Sequence, residues 1–146
     1  VYKMFSKKID IRVYYEDTDS GGIVYYANYF KFTERCRTEL LRDLGINQTE
    51  IFKELGIKFI VHSVSMNYLK PAYLDDYLTV ETKVESITKA SLKFDQKIYK
   101  KVDNNHFEII SSKCKIVAID NDAKVKPIPI TISKKIMEAQ WTVFYI

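Results

Sequence analysis

Val13-Tyr14-Tyr15-Glu16-Asp17-Thr18-Asp19-Ser20-Gly21-Gly22-Ile23-Val24-Tyr25-Tyr26-Ala27-Asn28-Tyr29 packs three carboxylates into four positions, sets two adjacent glycines behind them, and runs through aromatic residues into a helix. Upstream, Lys8–Tyr14 alternates polar and apolar residues, a period of two that predicts a strand. The acidic, glycine-bearing loop of residues 15–22 ends it. Downstream, Tyr29, Phe32, Thr33, Cys36, Leu40 and Leu44 recur at helical steps and predict a helix over Asn28–Leu44. Phe30 and Leu41 are expected to widen its apolar face, while Lys31, Glu34, Arg35, Glu39, Arg42 and Asp43 take the other side. Asn28 is the expected N-cap, and Gly45 stands where a left-handed residue commonly closes a helix.

A short helix is expected over Gln48–Leu55, with Asn47 and Glu50 at capping-box spacing and Gly56 closing it. The texture then changes. Lys58–Tyr68, Tyr77–Ile87, Ser91–Lys101 and His106–Asp120 are rich in strand-forming residues and separated by turn residues. Leu78–Val84 alternates cleanly, so that strand should have one wet face. Pro127 and Pro129 break regular structure, and Thr131–Gln140 is expected to form a last helix. One strand, one long helix and four further strands suit a two-layer α+β domain covering residues 1–146. The helix must cover one sheet face. The other face, or an edge strand, is left for a second copy.

The chain has 146 residues, 47% of them apolar, which suffices for a sizeable core. No stretch approaches the roughly 18 unbroken apolar residues of a membrane span, so no transmembrane segment is expected. The N-terminal Val1–Lys8 is too short and polar for a signal peptide, so the expected location is cytoplasmic. Cys36 and Cys114 form no C-x-x-C and are read as buried thiols. Two histidines and scattered carboxylates give no metal-ligand spacing, and no metal or cofactor is expected. The net charge of +4 collects as lysines in the last third of the chain, a solvated face or a landing surface for an acidic or phosphate-bearing partner. No motif supports nucleic-acid binding.

Tyr15-Glu16-Asp17-Thr18-Asp19-x-Gly21-Gly22-x-Val24-Tyr25-Tyr26-Ala27-Asn28-Tyr29, followed by Glu34-Arg35-x-Arg37-Thr38-Glu39, resembles the hotdog-fold acyl-CoA thioesterases. More narrowly it is similar to the YbgC-like branch of the 4-hydroxybenzoyl-CoA thioesterase family. Tyr68-x-x-Pro71-Ala72-x-Leu74-Asp75-Asp76 fits the same branch. The resemblance implies a five-stranded antiparallel sheet wrapped round one long central helix, assembled as a homodimer or homotetramer. It implies hydrolysis of a thioester on coenzyme A or acyl carrier protein. It makes Asp19 the catalytic carboxylate and sets the thioester carbonyl against a backbone N–H near Tyr26. Gly21, Gly22, Ile23, Val24, Tyr25, Asn28 and Tyr29 are the expected substrate-binding residues. Many members of the branch carry His where Tyr26 stands. The same branch is associated with phospholipid-synthesis partners, so the alternative is a non-catalytic scaffold for those partners or for acyl carrier protein. A hotdog dehydratase would need a histidine in the loop–helix motif, and neither His62 nor His106 occupies it.

The chemistry can be read from the residues as well. Thioester hydrolysis needs a group that attacks or activates water, and donors for the developing oxyanion. The first turn of a helix supplies unpaired N–H groups and a positive dipole end. An Asp carboxylate can act as nucleophile or as general base, and the sequence does not choose between them. Glu16 and Asp17 are read as loop solvation or helix-start charge, or as neighbours that tune each other. Among rivals, there is no G-x-S-x-G elbow. Cys36 lies mid-helix, and nothing orients a pair with His62, which is read as a satisfied structural histidine. His106 is read as exposed. Glu34 is read as a surface ion-pair partner of Arg37 or Lys31. Tyr14, Tyr15, Tyr25, Tyr26 and Tyr29 either line an acyl pocket or belong to the core, and spacing favours the core. The partner chain is expected to contribute through residues of Phe59–Tyr68, and Trp141–Ile146 to pack on the sheet or in an interface.

Overall fold

The computed structural model of the chain describes residues 5–142. Its elements run β1 (Ser6–Arg12), α1 (Asn28–Asp43), α2 (Gln48–Leu55), β2 (Lys58–Tyr68), β3 (Tyr77–Ile87), β4 (Ser91–Val102), β5 (Asn105–Ile119) and α3 (Ile130–Thr142). The strands form one antiparallel sheet in the order β1-β3-β4-β5-β2, so β1 and β2 are its edges. This is the expected hotdog architecture, with α1 as the filling. The packing expected of Trp141–Ile146 lies outside the described residues and side chains.

Alternation fixes which sheet face meets the helix. Leu78, Val80, Thr82 and Val84 of β3, with Leu92, Phe94, Gln96 and Ile98 of β4, are buried. Tyr29, Phe32, Cys36 and Leu40 of α1, at helical spacing, are buried against them. The core falls into two clusters. One gathers Leu40, Leu41, Leu92, Phe94 and Cys114 and is sealed by Ile128, Ile132 and Ile136 from the α3 region. The other gathers Val13, Val24, Tyr29, Phe32, Ile98 and Ile110 around the N-terminal end of α1. Between them, fully buried Gln96 donates to Thr33 O at 2.9 Å and Thr82 Oγ1 at 2.7 Å, and accepts from Arg37 Nη1 at 3.0 Å. A buried amide satisfied on both sides ties helix to sheet without an orphaned polar atom.

Several local expectations change. Asn28 is the first residue of α1 rather than its cap; Ala27 holds the cap position and has no side-chain cap bond. Phe30 is exposed, because it points away from the buried stripe. His62 lies exposed on edge strand β2, at a bulge between Val61 and Ser63, and is not a core histidine. Arg37 pairs with Gln96, and Glu34 accepts from Thr38 Oγ1 at 3.0 Å instead of from a cation. Asn47 does cap α2, accepting from Thr49 N and Glu50 N, and Gly56 closes that helix at φ 65°. No helix among the described residues is long and apolar enough to cross a membrane.

Candidate active site

β1 delivers the chain to Val13, whose N–H donates to Asp76 O at 2.9 Å and whose carbonyl accepts from Asp75 N at 2.9 Å. Tyr15–Asp17 then makes one 3-10 turn, and the Asp17 carboxylate accepts from Tyr14 N–H at 2.9 Å. The chain next reverses. Thr18 bridges Val24, Asp19 N–H donates to Ile23 O at 2.9 Å, and Gly22 N–H donates to Asp19 O at 3.0 Å. Gly22 takes φ +78°, a left-handed conformation that glycine adopts without a Cβ clash. Gly21 has a different task. Its N–H donates to Asp19 Oδ1 at 2.8 Å, and a Cβ there would stand 3.2 Å from that oxygen. The Asp19 carboxylate is exposed and aimed by this one amide.

The reversal is stapled to the start of α1. Asp17 O accepts from both Tyr25 N–H and Asn28 Nδ2, each at 2.9 Å. Asp19 is two residues away, so its Cα lies within about 7 Å of Asp17. Asn28 N–H donates to Tyr25 O at 2.8 Å and Phe30 N–H to Ala27 O at 3.3 Å. The N–H groups of Tyr26 and Ala27 have no backbone acceptor among the described residues. An acid loop and a helix start with two uncommitted donors therefore meet at one carbonyl, that of Asp17.

Beside this junction lies a cavity of about 280 Å³ lined by Val24, Tyr26, Tyr29, Tyr68, Leu69, Lys70 and Pro71. Tyr68 Oη donates to Tyr26 O at 3.4 Å, and its ring centroid is 6.1 Å from that of Tyr26 and 6.0 Å from that of Tyr29. Of Tyr14, Tyr15, Tyr25, Tyr26 and Tyr29, only Tyr29, on α1, is core. Burial pushes its phenol up to about 12. Tyr14, Tyr15, Tyr25 and Tyr26 are exposed, against the expectation that spacing made them core.

Of the expected site residues, Asp19, Gly21 and Gly22 form the loop, while Tyr25, Tyr26, Asn28 and Tyr29 gather at the helix start. Val24 is buried beneath the cavity, and Ile23 bridges Tyr73. The amide of buried Asn28 is engaged with the protein's own backbone. Asp17 is an organiser of the loop through both its carboxylate and its carbonyl. Tyr68, Leu69 and Pro71 are cavity residues absent from the expected set; the Tyr68-x-x-Pro71 motif was their signal. The rivals sit elsewhere. Cys36 Sγ faces the carbonyls of Lys7 and Val80 at 3.5 and 3.4 Å, and burial pushes its thiol up. His106 is exposed and stacks on Tyr99 at 4.7 Å. Among the described residues no group of three His, Cys, Asp or Glu side chains is placed to hold a metal ion.

The family model described as Thioesterase superfamily matches residues 21–105. The chain is 39% identical over 118 residues to the acyl-CoA thioesterase YbgC of Haemophilus influenzae, covering 81% of this chain and 83% of that one. Among solved structures, a probable thioesterase from Bartonella henselae superposes with a TM-score of 0.79 at 30% identity, over 86% of this chain and 100% of that one. The 4-hydroxybenzoyl CoA thioesterase of Pseudomonas sp. strain CBS-3 superposes at 0.82 over 89% and 98%, and at 19% identity speaks for the fold alone. The chain belongs to the thioesterase superfamily, a class of thioester hydrolases. Within it, the YbgC acyl-CoA thioesterases are the relatives that it resembles over most of its length.

Proposed function

We propose that this chain hydrolyses acyl thioesters of coenzyme A or acyl carrier protein, with Asp19 as nucleophile or general base and the N–H groups of Tyr26 and Ala27 polarising the carbonyl. The observation that carries this reading is the staple at Asp17 O, which holds the Asp19 loop against the start of α1. As nucleophile, Asp19 adds to the thioester carbon and expels the thiolate; water then cleaves the mixed anhydride. As general base, it takes the proton of the attacking water, and the thiolate leaves from the tetrahedral intermediate. Both routes place negative charge on the carbonyl oxygen, where helix-start amides stabilise it. Each oxyanion donor is typically worth on the order of 3 kcal/mol of barrier.

The reading carries a homodimer or homotetramer in the cytoplasm. Its support is edge strand β2, which leaves Ile60, Val61, Val64 and Tyr68 exposed and an unpaired row of backbone groups open to a second copy. Tyr68 also lines the helix-start cavity, so a partner on that edge borders the site. The test is steady-state hydrolysis of an acyl-CoA panel by the native chain and Asp19→Asn. The variant is expected to lose about 10²–10⁴-fold in turnover. Wild-type turnover in Asp19→Asn would refute the assignment. A native chain that turns over no thioester yet retains carrier-protein binding would point to a scaffold.

A further inference from the structure

Lys70 and Pro71 wall two cavities, the helix-start cavity described above and a second beyond it. The second holds about 250 Å³ between Pro71, Tyr73, Val102, Phe107 and Ile109. Phe107 stands opposite Lys100 across β4–β5, and Lys100 opposite the core residue Leu78, so the cavity opens on the helix side of the sheet. Its walls are apolar and its rim carries two ammonium groups. They are not equivalent. Lys100 Nζ is paired with Asp76 Oδ1 at 2.7 Å, and Asp76 Oδ2 accepts from Tyr73 N–H at 2.9 Å, so that carboxylate is satisfied on both oxygens. Lys70 Nζ lies over the Phe107 ring, 5.2 Å from its centroid, and forms no ion pair among the described residues.

An apolar pocket with an uncompensated ammonium at its lip matches a ligand that is apolar in body and anionic at its tip. Resting on the thioesterase reading, we infer that this cavity receives the distal end of the acyl group and that Lys70 selects acyl groups ending in a carboxylate. Coenzyme A itself brings phosphates, a second source of anionic oxygen. The pantetheine arm sets those phosphates many bonds from the sulfur, whereas Lys70 lines the cavity at the helix start where the thioester carbonyl is placed. A neutral acyl chain of equal length keeps the apolar contacts and forfeits the ion pair.

The experiment uses carboxypentyl and hexyl thioethers of coenzyme A, which bind without turnover, titrated calorimetrically into the native chain, Lys70→Met and Lys70→Glu. The native chain is expected to prefer the carboxypentyl ligand. Lys70→Met should weaken that ligand alone by about 5-fold, the worth of a partly exposed ion pair, and Lys70→Glu should reverse the preference. Equal weakening of both ligands means that Lys70 reads the phosphates and overturns the inference. So does a native chain that binds the two equally, or binds neither. A Lys70-dependent preference in a protein that hydrolyses no thioester leaves this pocket assigned and removes the hydrolase reading instead.

Discussion

Asn28→Ala and Asn28→Asp together isolate the staple between the acid loop and α1. The Asn28 side chain is buried and gives Nδ2 to Asp17 O at 2.9 Å. Alanine removes one neutral hydrogen bond, worth about 1 kcal/mol net. It leaves no orphaned carbonyl, because Tyr25 N–H still donates to Asp17 O. With the small cavity added, the loss is about 1–2 kcal/mol. Aspartate has nearly the same shape but presents oxygen to oxygen. Its buried, unpaired carboxylate is expected to cost about 3 kcal/mol or more. Both variants free the Asp19 loop relative to the helix-start amides. A displacement of about 1 Å is enough to cost on the order of 100-fold in rate. Urea unfolding followed by circular dichroism reads the first quantity, and kcat/KM on an acyl-CoA substrate reads the second. Equal stability of the two variants, or native kcat/KM in either, would show that the staple positions nothing.

Two further outcomes follow from the same geometry. The Tyr29 phenol stands at about 12 when folded, against 10.0 ordinarily, because burial disfavours its charged form. The unfolded chain therefore releases this proton first. Stability from this group is intact below pH 10 and declines as pH rises toward 12, by roughly 2–3 kcal/mol in all. Tyr29→Phe should flatten that decline in unfolding measured across this window, and an unchanged slope would contradict the assignment. The native chain should sediment as a dimer or tetramer, and Val61→Lys with Val64→Lys on β2 should shift it to monomer; a native monomer would remove the partner's share in the site.

Much of the fold was legible because its signals are local. The stripe of α1, the Asn47 and Gly56 chemistry around α2, and the bounds of β2 and β3 all come from residues within a turn or a strand of one another. The role of Asn28 is not local: its partner is a carbonyl eleven residues back, brought there by a chain reversal that no periodicity reports. The exposure of His62 is hidden for a different reason: an apolar run does not say whether its strand is central or at an edge. That is settled by sheet order, which places β2 beside β5 alone. The Asp19 loop and Tyr26 were named from a compact motif. Tyr68 reaches the same cavity through the register of β2 on β5, and Leu69, Lys70 and Pro71 through the segment that leaves that strand.

The two halves of the core face different fates. Where α3 plugs one end, Ile132 and Ile136 are locked among leucines and phenylalanine, and a change of one methylene is felt by the whole assembly. At the mouth beside Tyr25, Tyr26 and Tyr73, side chains stand outside the packed interior, so substitutions there leave folding nearly untouched. Exposed positions at that end can therefore change at little cost to folding, while the plugged end holds the structure together.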